Sequence, residues 1–127
     1  MKNQLPLAIN MFNADAYIAS PPNAISKGEF RLRQTKLLSQ LEDNDVLIIT
    51  ARKPSTRSND VEYPFRNSSD MLYLCGWTEP QSILFAHKKE GDWSVELFVQ
   101  PRNILMEIWH GRRPGIEGAV NNWPIDE

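Results

Sequence analysis

The alternation of apolar and polar residues predicts that the chain contains an amphipathic helix ahead of its first strand. A single apolar stripe at helical spacing contains Phe30, Leu37, Leu38 and Leu41. Ser26 lies three residues before Glu29, which is the spacing of a capping box and indicates where the helix begins. The turn-rich segment "EDND" follows Leu41, so the helix is predicted to end there.

Four apolar segments predict strands. Residues 46–51 are almost wholly apolar and rich in β-branched side chains, which is typical of a central strand buried on both faces. Residues 71–77 predict a second strand. Residues 82–89 and 93–100 flank the segment "EGD", which predicts a hairpin with Gly91 in its turn.

Polar segments connect these elements. Residues 52–70 predict a long loop, and loops of this length in a compact domain are usually functional or disordered. Residues 103–109 predict a short helix or turn, 110–115 a glycine-rich loop, and 120–127 a polar end without a closing helix or strand. The proline-containing residues 1–25 predict an arm that lies on a surface. This order of elements favours an α/β domain with a mixed sheet.

The composition disfavours several classes of protein. The 127 residues are 41% hydrophobic and 24% charged with a formal net charge of -2, so no overall field favours nucleic acid or an anionic membrane. A lone cysteine, Cys75, excludes an intramolecular disulfide, which favours a reducing compartment. The first residues lack the apolar core of a signal peptide, and no apolar run approaches the ~20 residues that span a bilayer. The sequence therefore predicts a cytoplasmic protein.

The residue types that support catalysis form no recognised pattern. His87 and His110 lie far apart and outside any zinc-binding spacing, although His110 is a candidate site residue beside a tryptophan. Cys75 lies in an apolar segment, which is more typical of a core residue than of a nucleophile. The acids of the predicted turns are scattered: Asp60, Glu62, Asp70, Glu79 and Glu107. Residue patterns alone thus predict a non-catalytic domain without a catalytic, cofactor-binding or metal-binding residue.

The adjacent arginines Arg112 and Arg113 leave two interpretations open. Their guanidinium groups suit bidentate binding of a carboxylate or phosphate, but such a pair more often belongs to a salt-bridge network. Because Asp60, Arg66 and Asp70 alternate in charge along the long loop, we expect ion pairs that hold two loops together.

Three further residues have expected structural roles. Trp109 is expected to fill a pocket and so hold its loop in place. Gly76 and Pro80 are expected to mark a transition from strand to turn.

Three segments in series resemble the N-terminal domain of aminopeptidase P, the Xaa-Pro aminopeptidase family. "SNDVEYPFRNSSDMLYLCGWTEP" is similar to the family's YPxRxxSDxxYLxGxxEP signature, "EIWHGRRPG" to its ExWxGRRxG segment, and "FRLRQTKLLSQL" to its RRxxLxxxL opening. The matched structural and cleft residues are Asp60, Tyr63, Arg66, Ser69, Asp70, Tyr73, Gly76, Glu79, Pro80, Glu107, Trp109, Gly111, Arg112, Arg113 and Gly115. Met71 and Leu72 stand where relatives often carry aromatics that reach a partner's active site, which implies a weaker aromatic wall.

The resemblance implies a creatinase N-terminal domain fold over residues 26–127. This fold is a mixed β-sheet flanked by helices with ribonuclease H-like topology, and its last strands are expected beyond Glu127. The resemblance also implies a separate catalytic domain of the pita-bread fold, which binds two divalent metals, usually manganese, and removes the N-terminal residue from peptides with proline second. The implied role of this chain is to build a homo-oligomer and to wall the peptide cleft.

Other functions remain open on the sequence. A free-standing binding module of the same fold would carry a polar cleft near residues 52–70. A creatinase-like or prolidase-like fragment is disfavoured by the combined YPxRxxSD and GRRxG motifs. RNA binding is disfavoured by the acidic balance and by the lack of a basic patch with aromatics. We therefore expect neither nucleic acid nor membrane as a partner.

Overall fold

The computed structural model describes residues 25–127, so almost all of the predicted N-terminal arm lies outside the described residues. The helices are α1 (Lys27–Leu38), α2 (Ser69–Leu74), α3 (Ile104–His110) and α4 (Gly115–Asn122). The strands are β1 (Val46–Thr50), β2 (Thr56–Ser58), β3 (Val61–Glu62), β4 (Ile83–Lys89) and β5 (Asp92–Phe98). Within this part of the chain, no helix is both long and apolar enough to cross a membrane.

The strands form a three-stranded sheet in the order β1-β4-β5 and a separate β2-β3 pair. The predicted α/β class is confirmed, and all pairings among the described strands are antiparallel. The predicted hairpin joins β4 to β5, whose last pair is Lys89 with Asp92. Its loop residues Glu90 and Gly91 have φ of 52° and 82°, and two positive φ angles are the signature of a type I′ turn.

The first helix begins as predicted. Ser26 Oγ accepts a hydrogen bond from Glu29 N at 3.1 Å and caps α1. The buried Gln34 donates from Nε2 to the carbonyl oxygens of Leu74 and Pro124, each at 2.8 Å. This polar side chain therefore joins α1 to the end of α2 and to the last residues of the chain. The predicted apolar stripe faces the core, with Phe30 and Leu38 buried and Leu37 and Leu41 packed against it.

The prediction that β1 is buried on both faces is wrong for the described residues. Leu47 and Ile49 pack on the core, whereas Val46 and Ile48 have exposed fractions of 54% and 58%. Successive side chains of a strand point to opposite faces, and the described residues cover only one face of β1.

The segment predicted as a second strand, residues 71–77, is instead most of α2 and the turn after it. Ser68 Oγ accepts a hydrogen bond from Met71 N at 3.3 Å and caps the helix, and Asp70 lies in the favourable first turn. Met71 and Leu74 then fall on one buried face. The Ser68 cap selects the helix here, because a short apolar run by itself is compatible with either helix or strand.

The end of the chain closes the core, contrary to the prediction of a polar end over residues 120–127. Trp123 and Ile125 have exposed fractions of 1% and 7%. The Trp123 ring meets the Trp77 ring edge-on, with centroids 4.8 Å apart. The polar pattern of this segment was misleading because Trp123 and Ile125 lie between polar residues that remain at the surface.

Backbone hydrogen bonds fasten this segment to the sheet. Asp126 N donates to Val95 O at 2.8 Å, and Leu97 N donates to Glu127 O at 2.7 Å. The last residues therefore satisfy polar groups along the edge of β5.

Candidate functional site

Asn67 joins the segments that carry the sequence motifs. Its Oδ1 accepts hydrogen bonds from Arg52 N at 3.1 Å and Ser68 N at 2.8 Å. Its Nδ2 donates to Trp77 O at 2.9 Å and Glu79 O at 3.3 Å. The side chain is 1% exposed, so these bonds fix the end of β1, the start of α2 and the turn at Glu79 relative to one another. Asn67 was not among the predicted site residues, and its only signal in the sequence was its place inside the YPxRxxSD stretch.

A cavity of about 620 Å³ opens where this turn faces α3 and the residues after β3. Its lining brings together four of the predicted motif residues, Tyr63, Glu79, Pro80 and Arg113. The candidate His110 also lines it, together with Pro54, Glu62, Phe65, Thr78, Gln81, Gln100 and Met106. We call this space the Glu79 cavity.

Opposite charges meet in the Glu79 cavity. Burial raises the pKa of the half-buried Glu79 carboxyl, and the positive charge of Arg113 partly offsets this rise. The hydrogen bonds described at Glu79 go to its backbone carbonyl, from Asn67 and Ser82. The turn that carries Glu79 is therefore held by its backbone, and Glu79 lines the cavity within electrostatic reach of Arg113.

Glu107 organises the loop between α3 and α4. Its Oε1 lies 3.1 Å from Arg102 Nη2 and accepts a hydrogen bond from Arg113 N at 2.9 Å. Its side chain is only 6% exposed. Burial by itself would raise the pKa of Glu107, but the Arg113 N–H, the hydrogen bond from Arg102 and the charges of Arg102 and Arg112 lower it below its ordinary value.

Replacing this carboxylate in Glu107→Gln is expected to lower the free energy of unfolding by about 1–3 kcal/mol near pH 6, because charge-assisted hydrogen bonds are lost. A depressed pKa stabilises the fold above the ordinary glutamate value of about 4.3, and this stabilisation is lost as the pH falls through the folded-state pKa. The difference between wild type and variant should therefore shrink toward about pH 3 in urea unfolding. Glu117→Gln, at an exposed position of α4, is the control. A difference that is the same at both pH values would contradict the role of the charge.

The described hydrogen bonds of Arg113 do not run to the long loop, and the pairing of that loop with Arg112 stays a prediction. Arg113 instead bonds through its backbone to Glu107, and its Nη1 donates to Pro101 O at 3.4 Å. Asp60 lies in the turn between β2 and β3, and Asp70 lies in α2. The neutral amide of Asn67 instead ties the start of the long loop to its end, because Oδ1 accepts from both Arg52 N and Ser68 N.

Other motif residues stay near their own segment. Arg66 donates from Nη1 to Asn67 O at 3.2 Å and to Ser69 Oγ at 3.5 Å. Tyr73 lies in α2, where the Arg33 guanidinium sits 4.5 Å from its ring centroid. Gly76 follows α2, so it marks a transition from helix rather than from strand to turn. Gly111 follows α3 and Gly115 begins α4, with Arg112 and Arg113 between them.

Trp109 does not fill a pocket, which corrects that prediction. The segment 103–109 does form the helix that was one of its two predicted states, and Asn103 Oδ1 caps α3 by accepting from Met106 N at 3.1 Å. Trp109 lies on this helix with 82% of its surface exposed. Three more side chains of α3 have exposed fractions above 70%, namely Ile104, Leu105 and Ile108. The Glu107 side chain is only 6% exposed and faces the other way, so this side of α3 presents an apolar surface to solvent.

The residues most able to hold a metal do not converge within residues 25–127, where no group of three or more His, Cys, Asp or Glu side chains could hold an ion. His87 Nδ1 lies 4.0 Å from Glu96 Oε1 on neighbouring strands of the sheet. Burial raises the pKa of the Cys75 thiol to about 12, so it is not a nucleophile at neutral pH.

Comparisons with known proteins agree with the motifs. A family model described as the N-terminal domain of aminopeptidase P matches residues 30–127. An Xaa-Pro aminopeptidase of Haemophilus influenzae is 37% identical over 112 residues, which are 88% of this chain and 25% of that protein. The solved low-pH form of Escherichia coli aminopeptidase P superposes with a TM-score of 0.79 at 35% identity, over 83% of this chain and 24% of that one. A zinc-substituted form of that enzyme in complex with product superposes equally well, with a TM-score of 0.79. The chain thus spans about a quarter of the length of these relatives.

Proposed function

Because this chain belongs to the aminopeptidase P family, in which it corresponds to the N-terminal domain, we propose that it is the accessory domain of a metal-dependent Xaa-Pro aminopeptidase. The whole enzyme would release the N-terminal residue from peptides with proline second, in the cytoplasm. This domain would contribute the wall of the peptide cleft and a contact between subunits, while catalysis belongs to a separate domain.

The observation that carries this role is the exposed apolar surface of α3. The Glu107 side chain is only 6% exposed and lies 3.1 Å from Arg102, which fixes the helix. Trp109, Ile108 and Leu105 then lie on its outside at high exposure. Soluble monomers seldom leave such contiguous apolar surface uncovered, and tryptophan is enriched among the residues that dominate interfaces.

The exposed surface of α3 also changes where we expect the aromatic wall of the cleft. Met71 stands where relatives often carry an aromatic, but it is fully buried here and cannot reach a cleft. Trp109 has the highest exposed fraction among the described motif aromatics, 82% against 54% for Tyr63 and 53% for Tyr73. We assign the wall and the subunit contact to α3 for this reason.

The metal ions of this proposal lie outside the described residues. No cluster of ligands in residues 25–127 suits a divalent cation, so the residues present do not fit a metal site. We place two divalent ions, manganese in the cell, in the catalytic domain. The zinc-substituted form of the Escherichia coli relative supports a metalloenzyme.

A free-standing binding module is the second candidate. It is favoured by the Glu79 cavity, since a polar cleft beside residues 52–70 is what that function requires. This alternative would be rejected if an enzyme of the relatives' length needed this domain for its activity.

The test measures hydrolysis of an Xaa-Pro peptide with added manganese. We expect no hydrolysis by this chain alone and clear hydrolysis by an enzyme of the relatives' length that carries it. In that enzyme, Trp109→Ala should weaken subunit association by at least about 30-fold, the effect of losing an interface hot spot of about 2 kcal/mol. Sedimentation velocity measures this, and Ile116→Ala, at an exposed apolar position of α4, is the matched control.

Two outcomes would reject parts of the proposal. Hydrolysis by this chain alone would reject the accessory role. Unchanged association of the Trp109→Ala enzyme would reject the assignment of the subunit contact to α3.

A further inference from the structure

The proposed function does not by itself explain the Glu79 cavity, which lies behind α3 and is built from separate segments of the chain. We propose that this cavity binds the C-terminal residue of a short peptide, with Arg113 donating to its carboxylate and Glu79 accepting from its backbone N–H. The proposal rests on the proposed function, because it names what the wall of the peptide cleft would hold.

The size of the cavity suits such a ligand. Its volume of about 620 Å³ lies inside the range of roughly 300–1,000 Å³ that is usual for small-ligand sites. Its walls come from the β2-β3 region, the turn after α2, and α3 with the loop that follows it. Asn67 fixes the turn to the end of β1, so part of the cavity is preformed.

The charges match the two polar groups of a C-terminal residue. A peptide's last residue carries its N–H and its carboxylate within a few bonds of each other. Glu79 and Arg113 are electrostatic neighbours in the cavity wall and offer the complementary acceptor and donors. Arg113 has one described guanidinium hydrogen bond, a long one of 3.4 Å to Pro101 O, so most of its five N–H donors remain available. His110 lines the same cavity and can add a donor to the carboxylate.

The remaining wall combines polar side chains with rings, and Pro54, Phe65 and Pro80 are among the ring-bearing residues. Surfaces made of aromatic and proline rings bind extended, proline-containing segments, whose stiff backbone loses little entropy. We therefore expect the cavity to favour peptides with proline near the C-terminal residue.

The experiment titrates this chain with the tetrapeptide Gly-Pro-Phe-Ala while backbone amide shifts are followed by NMR. The largest shifts are expected at residues 62–65, 78–81 and 110–113. Glu79→Gln keeps the shape of the side chain and should weaken binding about tenfold, the loss expected for one charge-assisted hydrogen bond. Arg113→Lys should do the same, because lysine lacks the planar fork. Glu117→Gln, on α4 outside the cavity, should bind as wild type does.

A second arm uses the same peptide with an amidated C-terminus, which should bind about tenfold more weakly because the carboxylate is gone. Equal affinity for the acid and the amide, or shifts confined to other surfaces, would overturn the proposal. Circular dichroism of each variant excludes loss of folding as the cause. Binding to this chain needs no catalytic domain, so its failure is distinguishable from a failure of the peptidase assay.

Discussion

Trp123→Ala is expected to lower the free energy of unfolding by about 3–5 kcal/mol, the usual cost of truncating a buried aromatic. The Trp123 side chain is 1% exposed, and its ring meets Trp77 at 4.8 Å between centroids. Its Nε1 also donates to Gly76 O at 3.3 Å. The variant would lose the packing, the ring contact and this hydrogen bond together. For a domain of this size, Tm should fall by at least about 10 °C.

Trp109→Ala is the matched control for that measurement, because it removes the same side chain from an 82% exposed position. Its effect on unfolding should stay within about 0.5 kcal/mol, as at most surface positions. Thermal and urea unfolding followed by circular dichroism measure both variants. If the two substitutions cost the same, the end of the chain would not belong to the core as described.

Gly76→Ala is expected to cost about 2–4 kcal/mol through two separate effects. Gly76 has a φ of +72°, where an L side chain is strained by about 1 kcal/mol or more. A Cβ there would also lie 2.8 Å from Phe30 Cζ. Phe30 is itself 1% exposed and cannot easily move aside, so overpacking adds about 1–3 kcal/mol.

Gly91→Ala separates these two effects. Gly91 has a similar φ of +82°, but a Cβ there would meet nothing within 4 Å. It should therefore show only the conformational cost of about 1 kcal/mol. Urea unfolding of both variants gives the difference, which measures the contact between α1 and the turn after α2. Equal losses at Gly76 and Gly91 would show that Phe30 does not restrict this turn.

Contacts between residues close in sequence were predictable. Neighbours within a few positions determine the cap at Ser26, the stripe along α1 and the β4-β5 hairpin. Their patterns can therefore be recognised in the sequence alone. The motifs around Tyr63 and Glu107 also identified the family, since their order and spacing survive without knowledge of the fold.

Contacts between distant residues were not predictable. The segment 71–77 contains a helix whose Met71 and Leu74 are buried in a core built largely from residues far away in the sequence. Asn67 is important only because the fold places Arg52 and Trp77 within hydrogen-bonding distance of the oxygen and nitrogen of its side-chain amide. The electrostatic pairing of Glu79 with Arg113 links positions that are far apart along the chain.

The sequence by itself determined the family, the α/β class, the first helix and the hairpin. Tertiary structure decided which apolar residues are covered, because burial depends on what packs against a residue and not on its type. Trp123 and Trp109 are the same type of residue, and Trp109 follows the more apolar stretch of sequence, yet Trp123 is enclosed by the core and Trp109 is exposed to solvent. The cavity beside Glu79 likewise exists only because segments that are separate along the chain meet there.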